Sequence, residues 1–178
     1  MKVHIMTPYS IERNLGKAYN ECMAMIPDGD SACFIDGDCM FCTSDFGTVL
    51  HEYANENKWA VLTCRINRIH ELAKWQHYPG FDDVKDCINE ANRIKVTRTA
   101  PAIIGSVSGT LLVIPKWIWE QHKFTETNAY RPGEPNLLGV DNEFTNKVRA
   151  AGIPVLRMDG VLIYHQYRLL NGTKTHLL

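Results

Sequence analysis

Short apolar runs that stop at proline, glycine or aspartate alternate with helical stripes along the whole chain, and this alternation favours a layered α/β sheet. Residues 3–7 read as a buried strand halted by Pro8. A helix follows over 15–26, with Leu15, Ala18, Tyr19, Cys22 and Ile26 on one stripe. Pro27-Asp28-Gly29-Asp30 is a turn, and residues 31–35 form a strand ending at Asp36. Ser44 or Asp45 caps a helix whose stripe is Phe46, Val49, Leu50 and Tyr53. Residues 59–64 are another strand.

The tract 67–100 is polar, with a helix expected near 82–95, and reads as a mobile excursion over a site. Residues 111–114 are a strand, and Pro115 suits the first turn of a helix. Pro132, Gly133, Pro135 and Gly139 make 125–139 a loop. A helix over 141–151 turns Val140, Phe144, Val148 and Ala151 inward and stops at Gly152. Residues 155–158 and 161–164 are expected to be two strands, with Asp159-Gly160 as the turn between them. One domain over 1–168 and a loosely held tail over 169–178 complete the expectation.

The 178 residues suffice for one hydrophobic core. Net charge is −1 with no basic cluster, so neither nucleic acid nor an anionic membrane is an expected partner. No apolar run reaches the roughly 18 residues of a membrane span, and the N-terminus reads as a strand rather than a leader; a cytoplasmic location is the default. The sequon at Asn171 is read as chance on that ground. Six cysteines then read as reduced core thiols. Cys39 and Cys42 have C-x-x-C spacing, yet a closed zinc site needs a second pair that the sequence lacks, so zinc is the lesser alternative.

Chemistry concentrates at three places. Asp36-Gly37-Asp38 ends a buried strand, where ligands of α/β sheets gather. Gly37 permits a bend that aims both carboxylates at one cation, and oxygen ligands suit Mn²⁺ or Mg²⁺. The same triplet is also what a turn looks like when aspartates bond backbone amides. Asp141 opens a helix, where it can act as a general base or simply as a cap, and Glu143 can orient an acceptor or face solvent. His165 ends an apolar strand and is either a metal ligand or a structural hydrogen-bonder.

The order of these pieces resembles the GT-A glycosyltransferases, the family-2-like group especially. The resemblance runs from Ile5-Met6-Thr7-Pro8-Tyr9 through Asn14-Leu15-Gly16 and Phe34-Ile35-Asp36-Gly37-Asp38 to Ser108-Gly109-Thr110. It continues through Asp141-Asn142-Glu143-Phe144 to Tyr164-His165, spanning roughly residues 3–168. It implies a Rossmann-like mixed central sheet flanked by helices, N-terminally abbreviated because only about 30 residues precede the D-x-D triplet. It also implies an inverting, metal-dependent transfer from a nucleotide diphosphate sugar to a saccharide or other hydroxyl acceptor. By the resemblance Thr7, Pro8, Tyr9, Asn14, Asp36 and Asp38 serve the donor. Asp36, Asp38 and His165 hold Mn²⁺ (or Mg²⁺), and Asp141 is the base. Gly109 lies on the acceptor side, where Trp117 and Trp119 offer a stacking face or pack as core. The family's usual acidic pair before the helix reads Val140-Asp141 here, so one acid is absent. Two rival readings are a haloacid-dehalogenase-type phosphatase, with Asp36 as nucleophile and Asp82-Asp83 as its later acidic pair, and a non-catalytic nucleotide-sugar binder on the same scaffold.

Overall fold

A computed structural model describes residues 1–11, 14–126 and 139–166. The tail 169–178 and most of the loop expected over 125–139 lie outside these. The elements are β1 (Val3–Met6), α1 (Leu15–Ala24), β2 (Ser31–Ile35), β3 (Cys39–Phe41), α2 (Phe46–Glu56) and β4 (Val61–Ile66). After them come α3 (Val84–Ile94), β5 (Leu111–Pro115), α4 (Lys116–Gln121), α5 (Val140–Ala150) and β6 (Val155–His165).

Six strands form one mixed sheet in the order β1-β2-β5-β4-β6-β3. The β1–β2 and β4–β6 pairs are parallel, and the other three are antiparallel. Strand alternation sends Cys33 and Ile35 of β2, and Leu111 and Val113 of β5, to the face covered by Val49, Leu50 and Tyr53 of α2. Their neighbours Ala32, Phe34, Leu112 and Ile114 meet α1, α4 and α5 through Tyr19, Met23, Ile118, Phe144 and Val148. Both faces are therefore buried, which explains why the central strands are apolar throughout.

In a flat sheet β2 and β3 would stand four strand spacings apart, about 19 Å. Only Asp36, Gly37 and Asp38 join them, and the four Cα steps from Ile35 to Cys39 reach ~14 Å at most. The sheet must therefore curl and bring its β3 edge back toward β2. The Asp36-Gly37-Asp38 segment bridges the gap: the Asp36 N–H donates to the Thr110 carbonyl (3.1 Å), and the Gln166 N–H donates to the Asp38 carbonyl (3.0 Å).

Two expectations are corrected. Residues 155–165 are a single strand, not a hairpin about Asp159-Gly160. Cys64 pairs with Met158 but Arg65 with Leu162, so residues 159–161 form a bulge. A Cβ on Gly160 would lie 2.4 Å from the Thr97 carbonyl oxygen, which is why glycine stands there. Asp159 is occupied by Arg65 (2.9 Å), Arg157 (2.7 Å) and the Thr99 hydroxyl (3.0 Å). The tract 67–100, expected to be an excursion, is packed instead: Cys87, Ala91 and Ile94 of α3 sit against Leu162 and Tyr164 of β6. Asp83 caps α3 by accepting from the Lys85 and Asp86 amides.

Gly152 ends α5 with φ of 80°, as expected of a helix-stopping glycine. Pro115 is the extended N-cap of α4 rather than part of its first turn. All six cysteines are free thiols. Among the described residues no helix is long and apolar enough to cross a membrane.

Candidate metal centre and acidic cleft

The curl sets β3 against β6 in antiparallel register, with Cys39 opposite His165. Directly opposed residues project to the same side of a sheet, so this pairing puts a thiol beside an imidazole. His165 is buried, and two hydrogen bonds orient it. Its N–H donates to the Asn67 side-chain oxygen (2.8 Å), and its Nδ1 lies 2.8 Å from the Arg68 carbonyl oxygen. A carbonyl only accepts, so Nδ1 carries the hydrogen and Nε2 is turned toward Asp38, 3.4 Å from its Oδ2. Burial holds the imidazole below its usual pKa, and Asp38 opposes that shift.

The Cys39 thiol donates to Asp38 Oδ1 at 3.7 Å. Donor atoms of Asp38, Cys39 and His165 all lie within 4.8 Å of one another. The thiol is pushed far above its normal range by burial and by the carboxylates of Asp38 and Asp36. Cys42, the other member of the C-x-x-C pair, is buried elsewhere, among Cys87, Ala91 and Leu162. Of the expected metal set of Asp36, Asp38 and His165, the last two converge, and Cys39 joins them to make a trio that could hold an ion. The spacing within it suits a cation held by one oxygen, one sulfur and one nitrogen.

Asp36 stands at the same end of the sheet. Burial, then Asp38 and Asp141, raise its pKa to about 6, so the three carboxylates share one electrostatic neighbourhood. Asp141, in the first turn of α5, accepts from the Gly109 N–H at 2.5 Å. A Cβ at Gly109 would stand 3.0 Å from the Asp141 Cβ and 3.2 Å from the Tyr19 hydroxyl, so the glycine admits both. Burial also raises the Asp141 pKa.

The segment leading to Gly109 is fixed by Gln76, which has no exposed surface. Gln76 accepts from the Ser108 N–H (2.7 Å) and donates to the Ser108 carbonyl (3.1 Å) and the Thr63 hydroxyl (2.6 Å). Asn142 accepts from the Val107 N–H (3.1 Å), which ties the same segment to α5.

The remaining expected residues divide. Thr7 reaches the triplet, its Cγ2 3.8 Å from where a Gly37 Cβ would be. Tyr9 is exposed and, with Ser10, Lys17, Ala18 and Glu21, lines a pocket of about 250 Å³; Pro8 lies between Thr7 and Tyr9 at the end of β1. Asn14 is the N-cap of α1, accepting from the Lys17 N–H at 3.0 Å. Glu143 is exposed and accepts from the Thr125 hydroxyl. Trp117 is not brought to the site. The register Ser31–Pro115 and Ile35–Leu111 puts it at the opposite end of the strands, beside Trp59 and Met1 in a separate pocket of about 550 Å³. Trp119 is buried core, its indole N–H donating to Asn20 (2.8 Å). Asp83 caps α3, and Asp82 lies 3.7 Å from Arg68.

The sequence reading missed Asn67, Arg68 and Gln76, and weighed Cys39 only with Cys42, as the lesser, zinc alternative.

No protein-family model matches the chain, and no curated protein matches it.

Proposed function

We propose that the chain is a GT-A-like, metal-dependent transferase that moves a sugar from a nucleotide diphosphate donor to an acceptor hydroxyl with inversion. The observation that carries this reading is the 3.4 Å approach of His165 to Asp38, which unites the end of β6 with the triplet after β2. Asp38 and His165 would hold a divalent cation, and when bound that ion offsets the charge on a departing diphosphate. The pocket beside Tyr9 and the nearness of Thr7 to Gly37 support placing the nucleotide along the end of β1.

Asp141 is the base in this reading. It takes the proton of the acceptor hydroxyl as that oxygen bonds to the anomeric carbon. The bond from that carbon to the diphosphate breaks, and its electron pair leaves with the diphosphate. Attack from the face opposite the leaving group inverts the centre. A pKa raised by burial makes Asp141 a stronger base than a solvated aspartate, and the Gly109 amide fixes the direction in which its carboxylate points.

That same amide bond favours a second reading, a nucleotide-sugar binder without turnover, because it engages one oxygen of the would-be base. Turnover separates the two. Release of nucleoside diphosphate from UDP- and GDP-sugars, measured with and without added divalent cation, is expected to depend on the cation. It should fall at least about 100-fold in Asp38→Ala, the loss usual when a charge-stabilising group is removed. Undiminished turnover in that variant would refute the metal-dependent mechanism. Cation-dependent nucleotide binding with no turnover would establish the binder.

A further inference from the structure

We propose that Cys39 is a ligand of the cation, and that the resident ion is therefore a thiolate-accepting one such as Zn²⁺ rather than Mg²⁺ or Mn²⁺. This deepens the transfer reading by naming the ion and takes the site's purpose from it. Its test reads the ion alone.

The backbone supplies the first reason. Cys39 and His165 are opposed residues of the β3–β6 ladder, so their side chains leave the same face of the sheet as neighbours. Asp38 precedes Cys39, and its carbonyl is tied to the Gln166 N–H, which fixes the triplet over the end of β6.

Distances supply the second. Bonds of about 2.0–2.3 Å from zinc to nitrogen, oxygen and sulfur imply donor–donor edges of about 3.5 Å in a tetrahedron. The Asp38 carboxylate lies in this range of both partners, Oδ2 3.4 Å from His165 Nε2 and Oδ1 3.7 Å from the Cys39 sulfur. With one donor atom taken from each residue, all three lie within 4.8 Å of one another, close enough to converge on a single ion.

Ligand chemistry supplies the third. Mg²⁺ takes oxygen donors almost alone, whereas one carboxylate, one imidazole and one thiolate suit a borderline ion. The imidazole is already oriented as a ligand, with Nδ1–H donating to the Arg68 carbonyl and Nε2 directed at the other donors. Three protein ligands leave a fourth position for water or a phosphate oxygen, the pattern of a catalytic rather than a structural zinc site.

The experiment titrates the metal-free full chain with Co²⁺ and follows the near-ultraviolet thiolate-to-cobalt charge-transfer band. Wild type should develop the band at one equivalent, and Zn²⁺ but not excess Mg²⁺ should abolish it. Cys39→Ser should lack the band and bind Zn²⁺ more weakly by over tenfold, since even outer partners of a ligand cost about that much. Independently of that variant's fold, Zn²⁺ should protect Cys39 of the wild-type chain from alkylation, read by peptide mass. Cobalt binding without the band, or equal alkylation of Cys39 with and without zinc, would overturn the proposal and leave an oxygen–imidazole site for the transfer reading. A Cys39-dependent band in a chain that turns over no nucleotide sugar would uphold the ligand and end the transfer reading.

Discussion

Asp36 shares one end of the sheet with Asp38 and Asp141, and this crowding has a consequence for stability that can be given a sign. Its folded-state pKa is raised from 3.8 to about 6 by burial first and by the two other carboxylates second. Below pH 3.8 the side chain is protonated both folded and unfolded, and no penalty arises. As pH rises through about 6 the unfolded chain ionises more readily than the folded one, so stability is lost and stays lost at neutral pH. The full shift corresponds to about 3 kcal/mol, and partial exposure of the group reduces it to roughly 2 kcal/mol. Asp36→Asn in the presence of a chelator should therefore match wild type at pH 3.5 and exceed it by that amount at pH 7.5 in urea unfolding. Equal stability at both pH values would show that Asp36 is as well solvated as a surface aspartate. A bound cation should shrink the difference, because its charge relieves the repulsion that Asn removes.

At the scale of elements, the site depends on the bulge in β6. Gly160 fits against the Thr97 carbonyl, and its N–H donates to the Tyr53 hydroxyl at 2.9 Å, while that hydroxyl donates to the Thr97 carbonyl at 2.8 Å. Gly160→Ala forces backbone apart and should cost roughly 3 kcal/mol, at the upper end for overpacking. Tyr53→Phe leaves a buried N–H and a carbonyl without this partner and should cost about 2 kcal/mol. Both are read by urea unfolding, and a change below 0.5 kcal/mol in either, roughly the surface-substitution range, would remove the bulge from the account. The bulge also marks where sequence reading fails. Asp159-Gly160 has the composition of a hairpin turn, yet its carboxylate serves Arg65 and Arg157, and its glycine serves a close approach from residues 95–97. Arg65 and residues 95–97 are both far from the pair in sequence. Asp36, Asp38 and His165 were legible because polar groups that end apolar strands are conspicuous. Cys39 was not, because its role follows from the β3–β6 register, which no local pattern encodes. Gln76, Asn67 and Arg68 act on backbone groups far along the chain and look like ordinary loop residues.

For the whole molecule, the donors of the centre come from two chain segments that only the curled sheet joins: the turn after β2 with the start of β3, and the last residue of β6. An unfolded chain offers no such set, so a cation held there would bind the native state almost alone and stabilise it by mass action. At a free concentration one hundred times the dissociation constant the gain is about 2.7 kcal/mol. For a chain of this length that is a rise of roughly 8 °C in Tm. The gain should vanish in Asp38→Ala and in His165→Ala. Nucleoside diphosphates add a second, ordered increment under the transfer reading. If the open position on the cation receives a phosphate oxygen, UDP or GDP should raise Tm further only when the cation is present, and the nucleotide that responds names the donor class. Inorganic phosphate should give a smaller increment, since it lacks a base to occupy the pocket beside Tyr9. A nucleotide shift of equal size in chelator would mean that the diphosphate is held without the ion, and Asp38 and His165 would then lose their part in substrate binding.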